Sequence, residues 1–344
     1  ARPVAGHGRG DCPQPRHRGL PVPPFVATPH HSLMTDVLTL TMNPALDVLT
    51  THALVESAHK MRCGPALKHP GGGGINVARV LHRLGASCMA VYPAGGVTGE
   101  RHRQLLHAEQ VRSHIVPIAQ ETRESFSVHE LSSGQDFRFV LPGPQVSEAE
   151  VQACFAYVAQ HLPKQFLVIS GGIAPGVPID FYARLTRLAN QHGVPVVIDA
   201  NGPALHAALE EGVFLFKPSL RELSQLVGHD LPDEASWISA CRALIDQKKA
   251  QVIALSLGEQ GAMVVSKDQC WRADALKVDV QTTIGAGDSF VGGMVWALYK
   301  GHDLLHAFQY GMAASAAALL EKGTPLCQPS DVHRLLPSVV VHAL

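Results

Sequence analysis

A chain of 344 residues is long enough for one large domain with an ample core, and 46% hydrophobic against 17% charged residues is a globular balance. A formal net charge of −1 gives no electrostatic basis for binding nucleic acid or an anionic membrane. No apolar run approaches the ~20 residues that span a bilayer, so a soluble protein is expected.

Residues 1–33 differ from the rest, with seven prolines and four arginines against one acid. They lack the long apolar stretch of a secretory signal and are expected to be a disordered extension. Met34 opens a strand pattern and is the expected natural start, with 34–344 as a single domain. Seven cysteines (Cys12, Cys63, Cys88, Cys154, Cys241, Cys270, Cys327) are scattered singly, with no C-x-x-C pair. They read as reduced thiols of a cytoplasmic protein. Twenty histidines show no metal-ligand spacing such as H-E-x-x-H.

"VLTLT" (37–41) is a strand by length and branching, and "MNPALD" (42–47) follows it with Asp47. A carboxylate just past a strand end is where open α/β sheets bind ligands; an ordinary turn aspartate is the alternative. "LTTHALVESAHKMRCGPALK" (49–68) reads as extended and polar. "HPGGGGINVARVLHRLG" (69–85) puts four glycines before a helix whose apolar face is Val77, Val80, Leu81 and Leu84, stopped by Gly85. The glycines allow close backbone approach by a ligand, or form a plain flexible loop.

"CMAVYP", "FLVISG", "PVVIDA", "VFLFK", "VIALSLG" and "AMVVS" are further strands, with helical stretches at 147–161, 178–192, 219–227 and 234–249. This alternation predicts a buried, mostly parallel sheet covered by helices on both faces. "SFSVHELSSGQDFRFVLPG" (125–143) breaks the order as a hairpin around Ser-Ser-Gly. With 49–68 it is expected to form a small projecting sheet that must cover an apolar face. "FKPSLRELSQL" (216–226) ends a strand at Lys217 and places Glu222 one turn into a helix. "SLGEQGA" (256–262) is a glycine-bearing turn suited to nucleotide contact.

"TTIGAGDSFVGG" (282–293) places Asp288 behind a Gly-Ala-Gly turn at the head of an apolar helix. Such a turn points several N–H groups into one space, and the helix dipole adds positive potential. The arrangement suits an anion, yet a carboxylate stands beside it; a simple N-cap is the alternative. An aspartate there is expected to stay ionised and to be a weak base. G-x-G-x-x-G fails at both glycine runs, since Asn76 and Phe290 occupy the sixth positions, which disfavours a dinucleotide fold.

On these motifs residues 34–336 resemble the ribokinase-like (PfkB-type) carbohydrate kinases. The two family signatures correspond to "GGGGINVARVLHRLG" and "TTIGAGDSFVGGM", in that order. Within the family the chain is most similar to the bacterial isozyme-2 type of 6-phosphofructokinase, on "PGGGGINVAR", "YPAGGVTGE", "RFVLPG", "VISGGIAPGV" and "KGTPLC". Fructose-1-phosphate and tagatose-6-phosphate kinases usually carry Gly-Gly-Lys-Gly where this chain has Gly71–Gly74.

The resemblance implies a three-layer α/β/α sandwich with a small β-sheet lid over about 48–68 and 120–142, and a homodimer through the lid. It implies ATP as co-substrate, Mg²⁺ and a K⁺ loop. The implied reaction is phosphorylation of fructose 6-phosphate in glycolysis, with 1-phosphofructokinase, tagatose-6-phosphate kinase or a non-catalytic sensor as alternatives. Asp288 corresponds to the catalytic base, and Gly285, Ala286 and Gly287 to the anion hole. Asp47, Gly72, Gly73, Gly74, Asn76 and Gly172 match sugar-binding positions, and Lys60, Arg62 and Arg123 match positions that meet the sugar's phosphate. Lys217, Ser219, Ser256, Gly258 and Gly261 match nucleotide-binding positions. Glu222 matches the acid that organises Mg²⁺ through water, and Thr282, Ile284, Ala318 and Gly323 the K⁺ loop. The chain departs from the family at Ser219, where Asn is usual, at Gly172, often serine, and at Glu321 and Pro325, in place of Asn and Arg.

Overall fold

The computed structural model describes residues 35–57, 59–321 and 326–344. The expectations for 1–33 and Met34, and for Gly323 and Pro325, lie outside these residues. In chain order the first elements are β1 (Val37–Leu40), β2 (Ala45–His52), β3 (Leu67–Gly71), α1 (Gly73–Arg83), β4 (Cys88–Ala94), α2 (Gly96–Ala108) and β5 (Ser113–Pro117). The hairpin strands β6 (Arg123–Glu130) and β7 (Asp136–Val140) come next. They precede α3 (Glu148–Gln160), β8 (Phe166–Ser170), α4 (Phe181–Gln191), β9 (Val196–Asp199), α5 (Gly202–Glu210) and β10 (Val213–Phe216). The last third holds α6 (Leu220–Val227), α7 (Glu234–Asp246), β11 (Ala250–Ser256), β12 (Ala262–Ser266) and β13 (Cys270–Ala273). It closes with α8 (Ala286–Tyr299), α9 (Leu304–Leu319), α10 (Pro329–Leu335) and β14 (Val341–Ala343).

Ten strands form one sheet in the order β14-β13-β12-β11-β10-β9-β8-β1-β4-β5. From β5 to β11 every pairing is parallel. The β12, β13 and β14 edge is antiparallel, because the Leu257–Gly261 connection is far too short for a parallel crossover. Strands β1, β8 and β9 read as largely apolar runs because both of their faces are covered. One core packs α3, α4, α5, α6 and α7 against the sheet around Phe181, Leu205, Leu223 and Trp237. The other packs α1, α8, α9 and α10 around Leu81, Phe290, Phe308 and Leu335.

In this second layer α1 and α8 come unusually close. A methyl group on Gly292 would collide with Val80 of α1, and one on Gly293 would lie 2.7 Å from the Tyr310 carbonyl of α9. Gly292 lets the two helices that carry Asn76 and Asp288 approach.

The second sheet has the order β3-β2-β6-β7, with the predicted hairpin turning at Gly134. The predicted extended segment 49–68 is strand only at its ends. Residues 53–57 and 59–66 between β2 and β3 are irregular, held by bonds such as Gly64 N to Thr51 O at 2.9 Å. Polar sequence with Gly64 and Pro65 gives no alternation to sustain a ladder there. No helix among the described residues is long and apolar enough to cross a membrane.

Candidate active site

The carboxyl ends of the parallel strands open onto one cleft, with β1 at the point where the strand order reverses between β4 and β8. Asp47 on β2 lies against the glycine run so closely that a methyl group on Gly71 would overlap its carboxylate. Gly72 takes a φ of 125°, and Gly73 and Gly74 begin α1, whose third and fourth residues are Ile75 and Asn76. Thr41, just past β1, accepts a hydrogen bond at Oγ1 from Ile75 N at 3.0 Å, which fixes the loop to the sheet.

Asn76 is buried, and its Nδ2 donates to Asp288 Oδ2 at 2.9 Å, joining the two signature motifs across the cleft. Gly285 caps α8 in the left-handed region with φ 77°, and no side chain caps the helix. The first amides of α8, at Ala286, Gly287 and Asp288, therefore remain open to an anion.

Asp288 is half-buried and closely surrounded by protein. Burial, reinforced by the Asp199 carboxylate, pushes its carboxyl up to about 7, while Asn76 and Lys217 act to lower it. The expectation of a weak, permanently ionised base is therefore corrected. Loss of water and neighbouring negative charge outweigh the helix end. Asp47 is likewise pushed up to about 6 by burial, opposed by Arg138, Arg123 and Arg79.

Lys217 follows β10 and is buried, with Nζ 3.3 Å from Asp199 Oδ1. Burial acts to lower its ammonium, but Asp199, Glu222 and Asp288 outweigh that and raise it, so it is a fixed cation. Burial pushes Asp199 up, opposed by Lys217. Ser219 caps α6: its Oγ accepts from Glu222 N at 3.2 Å, and Glu222 Oε2 accepts from Ser219 N and Oγ, each at 2.8 Å. The S-x-x-E departure from the family is thus a capping box that uses one oxygen of Glu222. Ser256 N and Oγ both donate to Pro218 O, at 2.9 and 3.2 Å, so the two nucleotide-site segments adjoin. Gly258 and Gly261 turn the chain between β11 and β12 at φ 60° and 89°.

The remaining expected residues lie on the lid, after β8, ahead of α8 and at the end of α9. Arg123 Nη1 and Nη2 donate to Leu141 O (2.9 Å) and Asn43 O (3.0 Å), so the guanidinium braces the root of the lid. Its buried Nε lacks a partner among the described residues. Lys60 and Arg62 are exposed on the irregular 59–66 stretch, without an ion pair to any described residue. Gly172 follows β8, where a side chain would meet Asn201 Oδ1 at an ordinary 3.6 Å. Thr282 Oγ1 accepts from Ile284 N at 3.2 Å, and Gln281 N donates to Leu319 O at 2.7 Å, which holds this loop against the end of α9 that carries Ala318.

Asp199 and Arg138 are among the residues of the site that were not singled out from the sequence. Asp199 ends β9 in "VVIDAN", the kind of strand-end position expected for Asp47, which lies instead three residues into β2 because the chain enters the second sheet at Ala45. Arg138 faces Asp47 from β7, and the alternation of the hairpin carried that signal: Ser127 pairs Arg138 and Leu49, two residues from Asp47.

Among the described residues no group of three or more His, Cys, Asp or Glu could hold a metal ion by itself. The second oxygen of Glu222 suits an ion already carried by nucleotide phosphates and water, the usual state of Mg²⁺.

Residues 41–331 match the family model described as pfkB family carbohydrate kinase. ATP-dependent 6-phosphofructokinase isozyme 2 of Mycobacterium tuberculosis is 40% identical over 299 residues, 87% of this chain and 88% of the relative. The Escherichia coli K12 protein of the same name is 38% identical over 303 residues, 88% and 98% of the two chains. The crystal structure of Escherichia coli phosphofructokinase-2 in complex with fructose-6-phosphate superposes with a TM-score of 0.83 at 36% identity. It covers 89% of this chain and 99% of that one. The same enzyme has been solved with potassium and in a tetrameric inhibited form, at TM-scores of 0.84 and 0.83.

Proposed function

The chain belongs to the pfkB family of carbohydrate kinases, and from that premise we infer that it transfers the γ-phosphoryl group of ATP to the 1-hydroxyl of fructose 6-phosphate. As a member it is a phosphotransferase with an alcohol acceptor. The observation that carries the reading is the Asn76–Asp288 hydrogen bond beside the uncapped end of α8, which sets a base next to an anion hole.

With Asp288 Oδ2 engaged by Asn76, Oδ1 is left to accept the sugar hydroxyl proton. The hydroxyl oxygen forms the new bond to phosphorus, the bond to the ADP oxygen breaks, and the proton passes to Asp288. Lys217 and the amides of Ala286 and Gly287 balance charge on the moving group. Asp47 and the glycine loop orient the sugar, and Arg138 with Arg123 supplies positive charge near Asp47 for its phosphate. Lys60 and Arg62 join them when the irregular 59–66 segment folds over substrate. Ser219, Ser256, Gly258 and Gly261 hold the nucleotide. Glu222 would hold Mg²⁺ through water, and the ion would supply charge neutralisation on the nucleotide phosphates. K⁺ is assigned to the Thr282–Ile284 loop and Ala318.

The domain is taken as 34–344, working in the cytoplasm, in keeping with six free thiols among the described residues. It is a homodimer through the lid, whose face turned away from Asp47 exposes Phe126 and Phe139, 6.4 Å apart between ring centres. A coupled ADP-release assay over fructose 6-phosphate, fructose 1-phosphate, tagatose 6-phosphate and free hexoses tests the reading. Preference for fructose 6-phosphate is expected. Faster turnover of another sugar would reassign the substrate, and no sugar-dependent ADP would make the chain a sensor.

A further inference from the structure

Behind the catalytic pair lies a buried cation that the reaction as described does not use. Arg79 is 1% exposed. Its Nε and Nη2 donate to the two oxygens of Glu109 at 2.8 and 2.6 Å. Its Nη1 donates to Asn76 Oδ1 at 3.2 Å and to Pro70 O at 3.3 Å. Asn76 and Arg79 share a face of α1 at i, i+3, and Glu109 closes α2.

A guanidinium has donors only, so it can hold only the oxygen end of the Asn76 carboxamide. The NH₂ end is then left for Asp288. A rotated carboxamide would set its NH₂ against the guanidinium and its oxygen against the carboxylate, replacing two bonds by two repulsions.

We infer that Arg79 is a positioning residue for phosphoryl transfer. Through Asn76 it fixes which end of the carboxamide meets Asp288, and through Pro70 it anchors the glycine loop. The inference rests on Asp288 being the base of the proposed kinase. Other charged groups facing Asp288 are Asp199 from β9, Lys217 after β10 and Asp47 from β2, and only Asn76 hydrogen-bonds it among the described residues. Around Arg79 stand Glu109 and His102 from α2, Arg83 on its own helix and Asp47, with His69 of β3 facing Glu109.

The test is Arg79→Met combined with Glu109→Gln, which removes the guanidinium without stranding a buried carboxylate. The acidic limb of the pH profile of kcat/KM is expected to move up by about half to one pH unit, with turnover largely recovered above it. The Asp288 carboxyl carbon, followed by NMR and assigned by its loss in Asp288→Asn, should shift with it. A limb that stays in place, with kcat reduced equally at all pH or KM alone raised, would overturn the proposal. Arg79→Lys keeps the charge beside Glu109 but lacks the fork, and should move the limb in the same direction. Should the double variant not fold, the Asn76 side-chain nitrogen of the wild type must follow the Asp288 titration; a pH-independent resonance overturns the assignment. Wild-type ADP release separates failure of this proposal from failure of the kinase reading.

Discussion

Lys217 Nζ lies 3.3 Å from Asp199 Oδ1, and a methyl group on Gly287 would stand 3.7 Å from the same nitrogen. The ammonium therefore sits between a strand-end carboxylate and the open amides of α8. Replacing it by methionine leaves Asp199, Glu222 and Asp288 facing one another without a counter-charge. Lys217→Met should lower kcat by about 10²–10³-fold and stability by about 3 kcal/mol. Steady-state kinetics and urea unfolding check both, and undiminished turnover would remove Lys217 from the chemistry.

The raised carboxyl of Asp288 has opposite consequences for turnover and for stability. Its folded-state value of about 7 exceeds the ordinary 3.8. Between these values the folded chain binds the proton and the unfolded chain does not. This group's contribution to stability is therefore full below about pH 4 and lost as pH rises through about 7. Catalysis needs the ionised form, so kcat/KM should fall as pH drops below about 7. Asp288→Asn should reduce turnover by at least about 10³-fold while melting above the wild type at about pH 8, as read by calorimetry. A variant that turns over normally, or melts lower at that pH, contradicts this account.

Gly71 is held small by the Asp47 carboxylate rather than by its own backbone. Gly71→Ala must push Asp47 from its place, which should raise KM for the sugar about 10-fold or more and leave KM for ATP little changed. Equal effects on both substrates would show a general disturbance of the fold instead.

The outward face of the lid predicts assembly. Phe126 and Phe139 are 38% and 53% exposed on neighbouring strands, an apolar pair that a four-stranded sheet cannot cover by itself. Phe139→Glu should weaken dimerisation about 100-fold or more, seen as a monomer by light scattering. An unchanged mass would place the interface elsewhere.

The strand and helix order was legible because buried parallel strands write themselves as runs such as "FLVIS" and α1 shows a clear apolar stripe. Strand β5, with the half-buried "SHIVP", and the short edge strands β13 and β14 lack such runs, so their pairing is settled by partners distant in sequence. In the site, Asn76, Lys217 and Asp288 were found because each stands at a strand end or helix start, whereas Asp47, expected just past β1, lies within β2. Arg79 could not be found, since one arginine in an amphipathic helix reads as solvent-facing until α2 brings Glu109 to it. The basicity of Asp288 was misjudged for a related reason: a local motif shows the helix end but not Asp199, which arrives from another strand.

The close crossing of α1 and α8 makes the spacing of the reactive pair a property of steric contact well away from the reagents. Asn76 and Asp288 ride on two rods, and Val80 seated on Gly292 sets how near those rods can come. A side chain added at that seat would wedge the rods apart and stretch the carboxamide–carboxylate bond without touching sugar or nucleotide. The gauge of the catalytic centre is therefore encoded about one helical turn below it, by the absence of a single carbon atom.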